Sequence, residues 1–427
     1  MALTGAAVAV VSRLRGWPAW SALLWVGGEL VRANVPFGGF PWGRLAFAQA
    51  GSPYASYAAL GGVPLVSAAV ALSGALLAAA VLRLAQHPRS AGRSLAIVGL
   101  AVVIPLVALL VPIGAPAVAG SGGNPVTVAL VQGNVPEVGT EHLGRARTVT
   151  RNHRDATLEL AAAVEAGEQR APDVVIWPEN STDIDPFTDA ETAEVIEDAV
   201  EAVDVPLLVG AILDGPGEGF RRTAGVVWDP ASGADTEQIY VKRHPVPFGE
   251  YIPFREQLLP FVGRLEQVGR ETFAGDEPGV LDLGPLTVGD VICFEIGYDA
   301  IVRDVVDGGA EVIVVQTNNA TFGLTAQPEQ QFAISRLRAL EHGRTVLVAA
   351  TSGISGVIDP DGSVRERTAE FTRDVVVADV VPQDARTMAT LAGAWPEWLL
   401  TAAGLSALVA AVIRSRRREE VRASEHR

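Results

Sequence analysis

Apolar residues follow two different rhythms along this chain. Toward both ends they run unbroken. Residues 58–82 and 94–119 each give about 25 positions without a charge, enough for a helix to cross a hydrocarbon core of roughly 30 Å. Residues 393–413 form a similar stretch, with only Glu397 at its outer edge beside Trp395 and Trp398. Residues 17–33 make a fourth, poorer candidate, because Glu29 and Arg32 interrupt its far end. Residues 1–11 are apolar but too short to span. No basic segment precedes them, which argues against a signal peptide. They fit the tail of an earlier helix, which points to a portion missing upstream.

Between these stretches, residues 121–392 alternate short β-rich runs with helical patterns, the sign of an α/β layered fold. Strands are predicted at Val126–Gln132, Asp173–Trp177, Pro206–Ile212, Thr223–Trp228, Thr287–Cys293, Glu311–Gln316, Thr345–Ala350 and Ser355–Asp359. Helices are predicted over 145–166, 189–202, 298–307 and 328–342. Asp359-Pro360-Asp361-Gly362 reads as a hairpin turn, and Asp229-Pro230 with Gly233 as another.

Charge separates the two parts. Residues 121–392 hold 20 Lys and Arg against 44 Asp and Glu, while the rest holds 13 Arg against 5 Glu. The middle is an acidic globular domain and the ends are apolar spans with basic flanks. A collagen-like, disordered or disulfide-stapled chain is excluded, and this acidity argues against a nucleic-acid binder. The flanking arginines agree on one topology. Arg13 and Arg15, then Arg83, Arg89 and Arg93, then Arg414, Arg416, Arg417 and Arg418 all fall on the cytoplasmic side. The loop 34–57 and the acidic domain then lie outside the cell membrane, and the basic tail 414–427 lies inside.

Two residue types occur once. Cys293 is the sole cysteine and Lys242 the sole lysine, set against 32 arginines. Where Arg serves every other basic position, a retained Lys calls for a compact, tunable charge. The six histidines (87, 142, 153, 244, 342 and 426) show no metal-ligand spacing. Glu179 follows VVIWP, Lys242 follows QIYV and Cys293 ends VGDVI, all at the ends of apolar strands. Alpha/beta folds place chemistry there. A carboxylate, an ammonium and a thiol together suit acyl transfer: the thiolate attacks, the carboxylate takes its proton and the ammonium stabilises an oxyanion. Taken singly, each has a plain structural reading; a buried Cys is most often a small core hydrophobe.

These residues sit within recognisable motifs. WPEN (177–180), YVKRHPVPFGEYIP (240–253), ICFEIGY (292–298), TNNATFG (317–323) and RLRALEHGR (336–344) resemble, in that order, the carbon–nitrogen hydrolase (nitrilase) superfamily. The PVPFGEYIP segment, the RALEHGR helix and GFPWGRLAFAQ (39–49) resemble one membrane branch of it, the bacterial apolipoprotein N-acyltransferases. The resemblance implies an αββα sandwich attached to a transmembrane helical bundle. It implies a Glu179–Lys242–Cys293 triad, supported by Glu250 and Glu295, with Phe294 and Asn319 beside it. The implied reaction moves an acyl chain from a membrane phospholipid through a Cys293 thioester. The acceptor is the α-amine of a diacylglyceryl-modified apolipoprotein cysteine, and neither metal nor dissociable cofactor is required. A membrane glycosyltransferase is a further partner the resemblance suggests.

The chain departs from the family pattern in places. Phe294 keeps the ring usual after the nucleophile and lacks a hydroxyl, the usual Trp is missing from 132–141, and Thr321 replaces another Trp. These changes touch how the lipid substrates are gripped. Residues 255–278 interleave Leu258, Leu259, Phe261, Val262, Leu265 and Val268 with charges. They read equally as an interfacial lid or as an amphipathic helix packed on the sandwich. Phe37, Phe40 and Trp42 in the outer loop line a lipid entrance or anchor at the headgroups. Two other readings stay open from the residues alone: a membrane-anchored amidase that releases a free acid, and a non-catalytic membrane scaffold.

Overall fold

The computed structural model describes residues 2–87, 89, 91–112, 122–135, 147–261, 263 and 268–425. The chain divides into two units, one made of Met1–Ala115 with Thr387–Arg427, the other of Pro116–Arg386.

The first unit is helical. It contains α1 (Ala2–Val11), α2 (Trp17–Asn34), α3 (Ala58–Gln86) and α4 (Ala91–Ala108), joined from the C-terminus by α10 (Met388–Ala392) and α11 (Trp395–Glu425). Among the described residues, three helices are long and apolar enough to cross a membrane: 53–86, 91–108 and 395–421. The remainder of the expected third span, 113–119, lies outside the described residues. α2 is not among the three, since Glu29 and Arg32 break its apolar run. Glu29 is instead used inside the unit, its carboxylate accepting from Trp25 Nε1 (2.9 Å) and from the Leu45 N–H (2.8 Å). Arg44 of the outer loop pairs with Glu397 of α11 at 3.1 Å, both side chains largely buried. Glu29 is thus met by two neutral donors and Arg44 by an opposite charge, as a low-dielectric setting demands. The short α1 is held by Val11, which packs with Leu24 and Ala411. The Arg414–Arg418 stretch does not leave the last helix, which runs on to Glu425.

The second unit is the expected αββα sandwich. One sheet has the order β13-β1-β2-β3-β4-β5, with β6 off β4; the other runs β12-β11-β10-β9-β8-β7. The first comprises β1 (Val126–Gln132), β2 (Val174–Ile176), β3 (Leu207–Asp214), β4 (Phe220–Asp229), β5 (Gly233–Val241), β6 (Glu271–Thr272) and β13 (Asp374–Val380). The second comprises β7 (Val280–Asp282), β8 (Thr287–Ile292), β9 (Val312–Thr317), β10 (Val346–Ala350), β11 (Gly356–Ile358) and β12 (Val364–Arg367). Strand periodicity sorts the side chains. Val126, Val128 and Leu130 of β1 face Val288, Val312, Val314 and Leu347 in a core between the sheets. Ala129 and Val131, the alternate residues, join Ala156, Leu160, Ile196 and Val200 of α5 (Thr148–Glu165) and α6 (Ala190–Val203) outside the first sheet. α8 (Asp299–Asp307) and α9 (Gln327–His342) lie against the second sheet. Fully burying one such aliphatic side chain contributes roughly 1.5–3 kcal/mol.

The eight predicted strands and four predicted helices form with ends shifted by a few residues, α5 beginning at Thr148 within the described residues. Both predicted turns form: Gly362 N–H donates to the Asp359 carbonyl, and the Asp229 carboxylate accepts from the Ala231 and Ser232 N–H groups. Strands β6, β7, β12 and β13 are not marked by the sequence pattern, and of β5 only the final QIYV run is. β12 is exposed throughout and β5 is largely polar, so neither shows the alternation of a half-buried strand. β13 hides for the opposite reason. Val376 faces the inter-sheet core and Val377 the helices, so both faces are apolar. Among the described residues of the 255–278 stretch, α7 (Arg255–Leu258) is the α-helix; Val262 and Leu265 lie outside the described residues.

Parallel pairing sets the site. β1, β2 and β3 run parallel, as do β8, β9 and β10. β4 reverses and β5 reverses again, so β5 ends at the same edge as β2. Glu179 and Lys242 therefore leave one sheet where Cys293 and Thr317 leave the other. Gly210 of β3 is what lets the Glu179 segment lie close. Its carbonyl accepts from the Ser181 N–H at 2.8 Å, and a Cβ there would collide with the Pro178 carbonyl. Gly210→Ala is expected to destabilise the fold by about 1–3 kcal/mol, the usual cost of overpacking, and to lower the midpoint of thermal inactivation. An unchanged midpoint would show that the close approach is dispensable.

Candidate active site

Lys242 follows β5, and its ammonium is 1% exposed. Its Nζ donates to Glu179 Oε1 at 2.8 Å and to Glu250 Oε1 at 3.0 Å. Burial works against the ammonium, but the two carboxylates outweigh it and hold the lysine charged well above its ordinary range. Each carboxylate is fixed in turn. Glu179, 3% exposed, accepts from the Asn318 N–H through Oε2 at 2.8 Å. Thr351 donates its hydroxyl to the Glu179 backbone carbonyl at 3.0 Å. Glu250 accepts from the Val246 N–H through Oε2 at 2.6 Å.

Glu295 plays a different part. Its carboxylate receives the Tyr240 hydroxyl (2.8 Å) and the N–H groups of Arg243 (2.7 Å), His244 (2.8 Å) and Ile292 (2.8 Å). It does not bind the Lys242 ammonium. It staples the backbone just after Lys242 to the end of β8, and so fixes the lysine relative to Cys293. Burial raises its proton affinity, which Lys242 and the donors from Ile292, Tyr240 and His244 oppose.

Cys293 begins a tight turn of 3-10 helix, Cys293–Gly297, and has a φ of +55°. A non-glycine residue is uncommon there, and such strain collects at functional sites. The turn is gripped from behind by the buried Arg338 of α9, which donates to the Ile296 (2.9 Å) and Gly297 (3.0 Å) carbonyls. The thiol is 7% exposed. Burial first, and then Glu179, push its pKa up to about 12, while Lys242 and a hydrogen bond with the Thr317 side chain pull the other way. The resting thiol is therefore protonated at neutral pH, beside a carboxylate able to take its proton.

The remaining expected residues are placed more simply. Phe294 is buried and meets Tyr298 edge-on, ring centres 5.5 Å apart. Asn319 is buried and bonds to Thr317. Its amide donates to Thr317 Oγ1 (3.0 Å) and Gln331 Oε1 (2.8 Å). Thr317, Arg338 and Thr351 went unnoticed in the sequence as site residues. Thr317 had a signal, since it is the last residue of a buried strand opening TNNATFG. Among the described residues, no group of His, Cys, Asp and Glu is placed to hold a metal ion.

Residues 127–390 match the carbon-nitrogen hydrolase family, and residues 1–76 match the apolipoprotein N-acyltransferase N-terminal domain. The apolipoprotein N-acyltransferase of Mycolicibacterium smegmatis is 38% identical, over 97% of this chain and 71% of that one. The one from Azotobacter vinelandii is 30% identical, over 90% and 70%. Among solved structures, an amidase from Nesterenkonia sp. is similar at 17% identity over 61% of this chain and 91% of that one, with a TM-score of 0.43.

Because Glu179 raises the thiol pKa, removing its charge must lower it. In Glu179→Gln the thiol should therefore ionise at lower pH than in the wild type, whose thiolate should still be rising at pH ~10. Thiolate ultraviolet absorbance, measured against Cys293→Ala between pH 6 and about 10, tests this. A Glu179→Gln thiol that ionises at the same or higher pH would contradict the electrostatic assignment.

Proposed function

Because the chain belongs to the carbon–nitrogen hydrolase family, in its apolipoprotein N-acyltransferase branch, we propose that Cys293 carries the acyl group in the N-acylation of lipoproteins. The observation behind this reading is one buried ammonium held by two carboxylates, at the sheet edge where the sole thiol sits.

In the first half-reaction, Cys293 Sγ attacks the ester carbonyl of a membrane phospholipid, and its proton passes to Glu179. Lys242 keeps its proton and stabilises the tetrahedral oxyanion as an electrostatic donor already in place. Collapse expels the glycerol oxygen of the lyso-phospholipid, which receives the proton back from Glu179. A thioester remains. In the second half-reaction, the α-amine of a diacylglyceryl-cysteine attacks that thioester, Glu179 takes the amine proton, and the thiol leaves with it. Glu250 keeps Lys242 charged and directed throughout, and Glu295 holds the segment on which it sits.

Acyl transfer is favoured over hydrolysis by the match at residues 1–76, which lies outside the hydrolase domain. A non-catalytic scaffold would have no use for the matched charges around Lys242. The candidate spans support a reaction at a membrane, and the arginine clusters support an extracytoplasmic site with a cytoplasmic C-terminus. Phe254, Phe261 and Leu324, all strongly exposed on the catalytic unit, suit contact with lipid.

Incubation with phospholipid should leave one acyl adduct on the intact protein, absent from Cys293→Ala and released by neutral hydroxylamine. Intact-mass measurement reads this directly. An adduct that persists in Cys293→Ala, or none on the wild type, would overturn the reading.

A further inference from the structure

Asp290 lies three residues before the nucleophile, on β8, with its side chain facing the inter-sheet core. It is completely buried. Neither of its carboxyl oxygens makes a hydrogen bond of normal geometry among the described residues. Its companion across the strand gap is Gln316 of β9, equally buried. Gly225 of β4 stands opposite both. A Cβ at that glycine would collide with Asp290 Oδ2 and come within 3.1 Å of Gln316 Oε1, so the two oxygens crowd one point.

The hydrogen-bond roles there are forced. Gln316 donates its amide nitrogen to the Trp177 carbonyl at 2.6 Å. A carbonyl only accepts, so the nitrogen end of that amide must face Trp177. The end left over is Oε1, an acceptor that has no partner. An ionised Asp290 is also acceptor-only, and two unsatisfied acceptors would then crowd the same buried spot. Leaving both unpaired costs a full desolvation penalty on each. One proton between them resolves the conflict.

We infer that Asp290 stands as a neutral carboxylic acid that donates to Gln316 Oε1, and is a positioning residue for Glu179. Gln316 passes the constraint on. It anchors the Trp177 carbonyl, two residues before Glu179, so one relay ties the nucleophile strand to the strand that carries the base. The electrostatics agree. Burial, and the nearby Glu295 and Glu179, all favour the protonated acid, while the Val291 N–H opposes it weakly. The other titratable group facing it is Tyr240 of β5, which stays protonated and donates to Glu295. A fourth negative charge beside Glu179, Glu250 and Glu295 would also oppose both the thiolate and the oxyanion. A neutral Asp290 removes that conflict.

The inference rests on the thioester reading for its kinetic arm and is independent of it in its spectroscopic arm. In the full-length protein, Asp290→Asn keeps a donor for Gln316 and removes no charge. Thioester formation from phospholipid should stay within about threefold of wild type, with an unshifted pH profile. Asp290→Leu cannot donate, and should slow thioester formation tenfold or more in protein that remains folded by thermal-inactivation midpoint. Infrared difference spectra of wild type against Asp290→Asn at neutral pH should show the carbonyl band of a protonated acid, whether or not acyl transfer occurs. Three results would overturn the inference: a carboxylate band instead, a pH profile moved about one unit lower in Asp290→Asn, or wild-type kinetics in Asp290→Leu.

Discussion

Taking one ammonium out of water constrains most of the catalytic unit. A buried unpaired charge costs several kcal/mol, on the order of 3–5 when one partner of a pair is removed. Lys242 is tolerated only because Glu179 and Glu250 meet it at hydrogen-bond distance. That requirement propagates outward. Glu179 must be held by the Asn318 N–H after β9 and by Thr351 after β10, and Glu250 by the Val246 N–H. Glu295 must bind the backbone on both sides of the gap between β5 and β8. The two sheets are thereby tied at the edge where their core ends.

The same charges set the chemistry. Lys242 sits between carboxylates that keep it protonated, so it serves as a fixed cation. It is not available as a base. The thiol meets the opposite influence, since burial and Glu179 keep it neutral at rest. An enzyme whose nucleophile rested as a thiolate would need less of a base; on the proposed mechanism, Glu179 takes the proton as the bond to carbon forms. Oxyanion stabilisation by a donor already oriented then lowers the barrier without further reorganisation.

Much of this is legible in the sequence because it depends on strand ends. The short β-rich runs VVIWP, QIYV and VGDVI each lead into one of Glu179, Lys242 and Cys293, which sets all three at strand ends, where α/β folds place chemistry. The lone Lys242 draws attention through composition alone. The division of labour between Glu250 and Glu295 is not readable this way, since both look like partners for the lysine. Only the folded backbone shows that Glu295 faces four donors other than Lys242. Thr317, Arg338 and Asp290 escape for a related reason. Each acts through partners brought close by strand pairing or helix packing, and a polar residue inside a β-run looks like an ordinary interruption. β12 and most of β5 are missed because they carry little apolar pattern, and β13 because it carries too much.

In the proposed mechanism Lys242 acts as a compact, shaped donor, beyond its charge. Arginine supplies the charge at the other 32 basic positions, yet its planar fork is too broad for a site closed by two carboxylates and a thiol. Single-turnover rates of thioester formation and of amine transfer, measured separately on Lys242→Arg, test this most directly. Both should fall by about two orders of magnitude or more, the range seen when an oxyanion donor is lost. Rates near wild type in both half-reactions would mean that the lysine supplies only charge, and would contradict the mechanism.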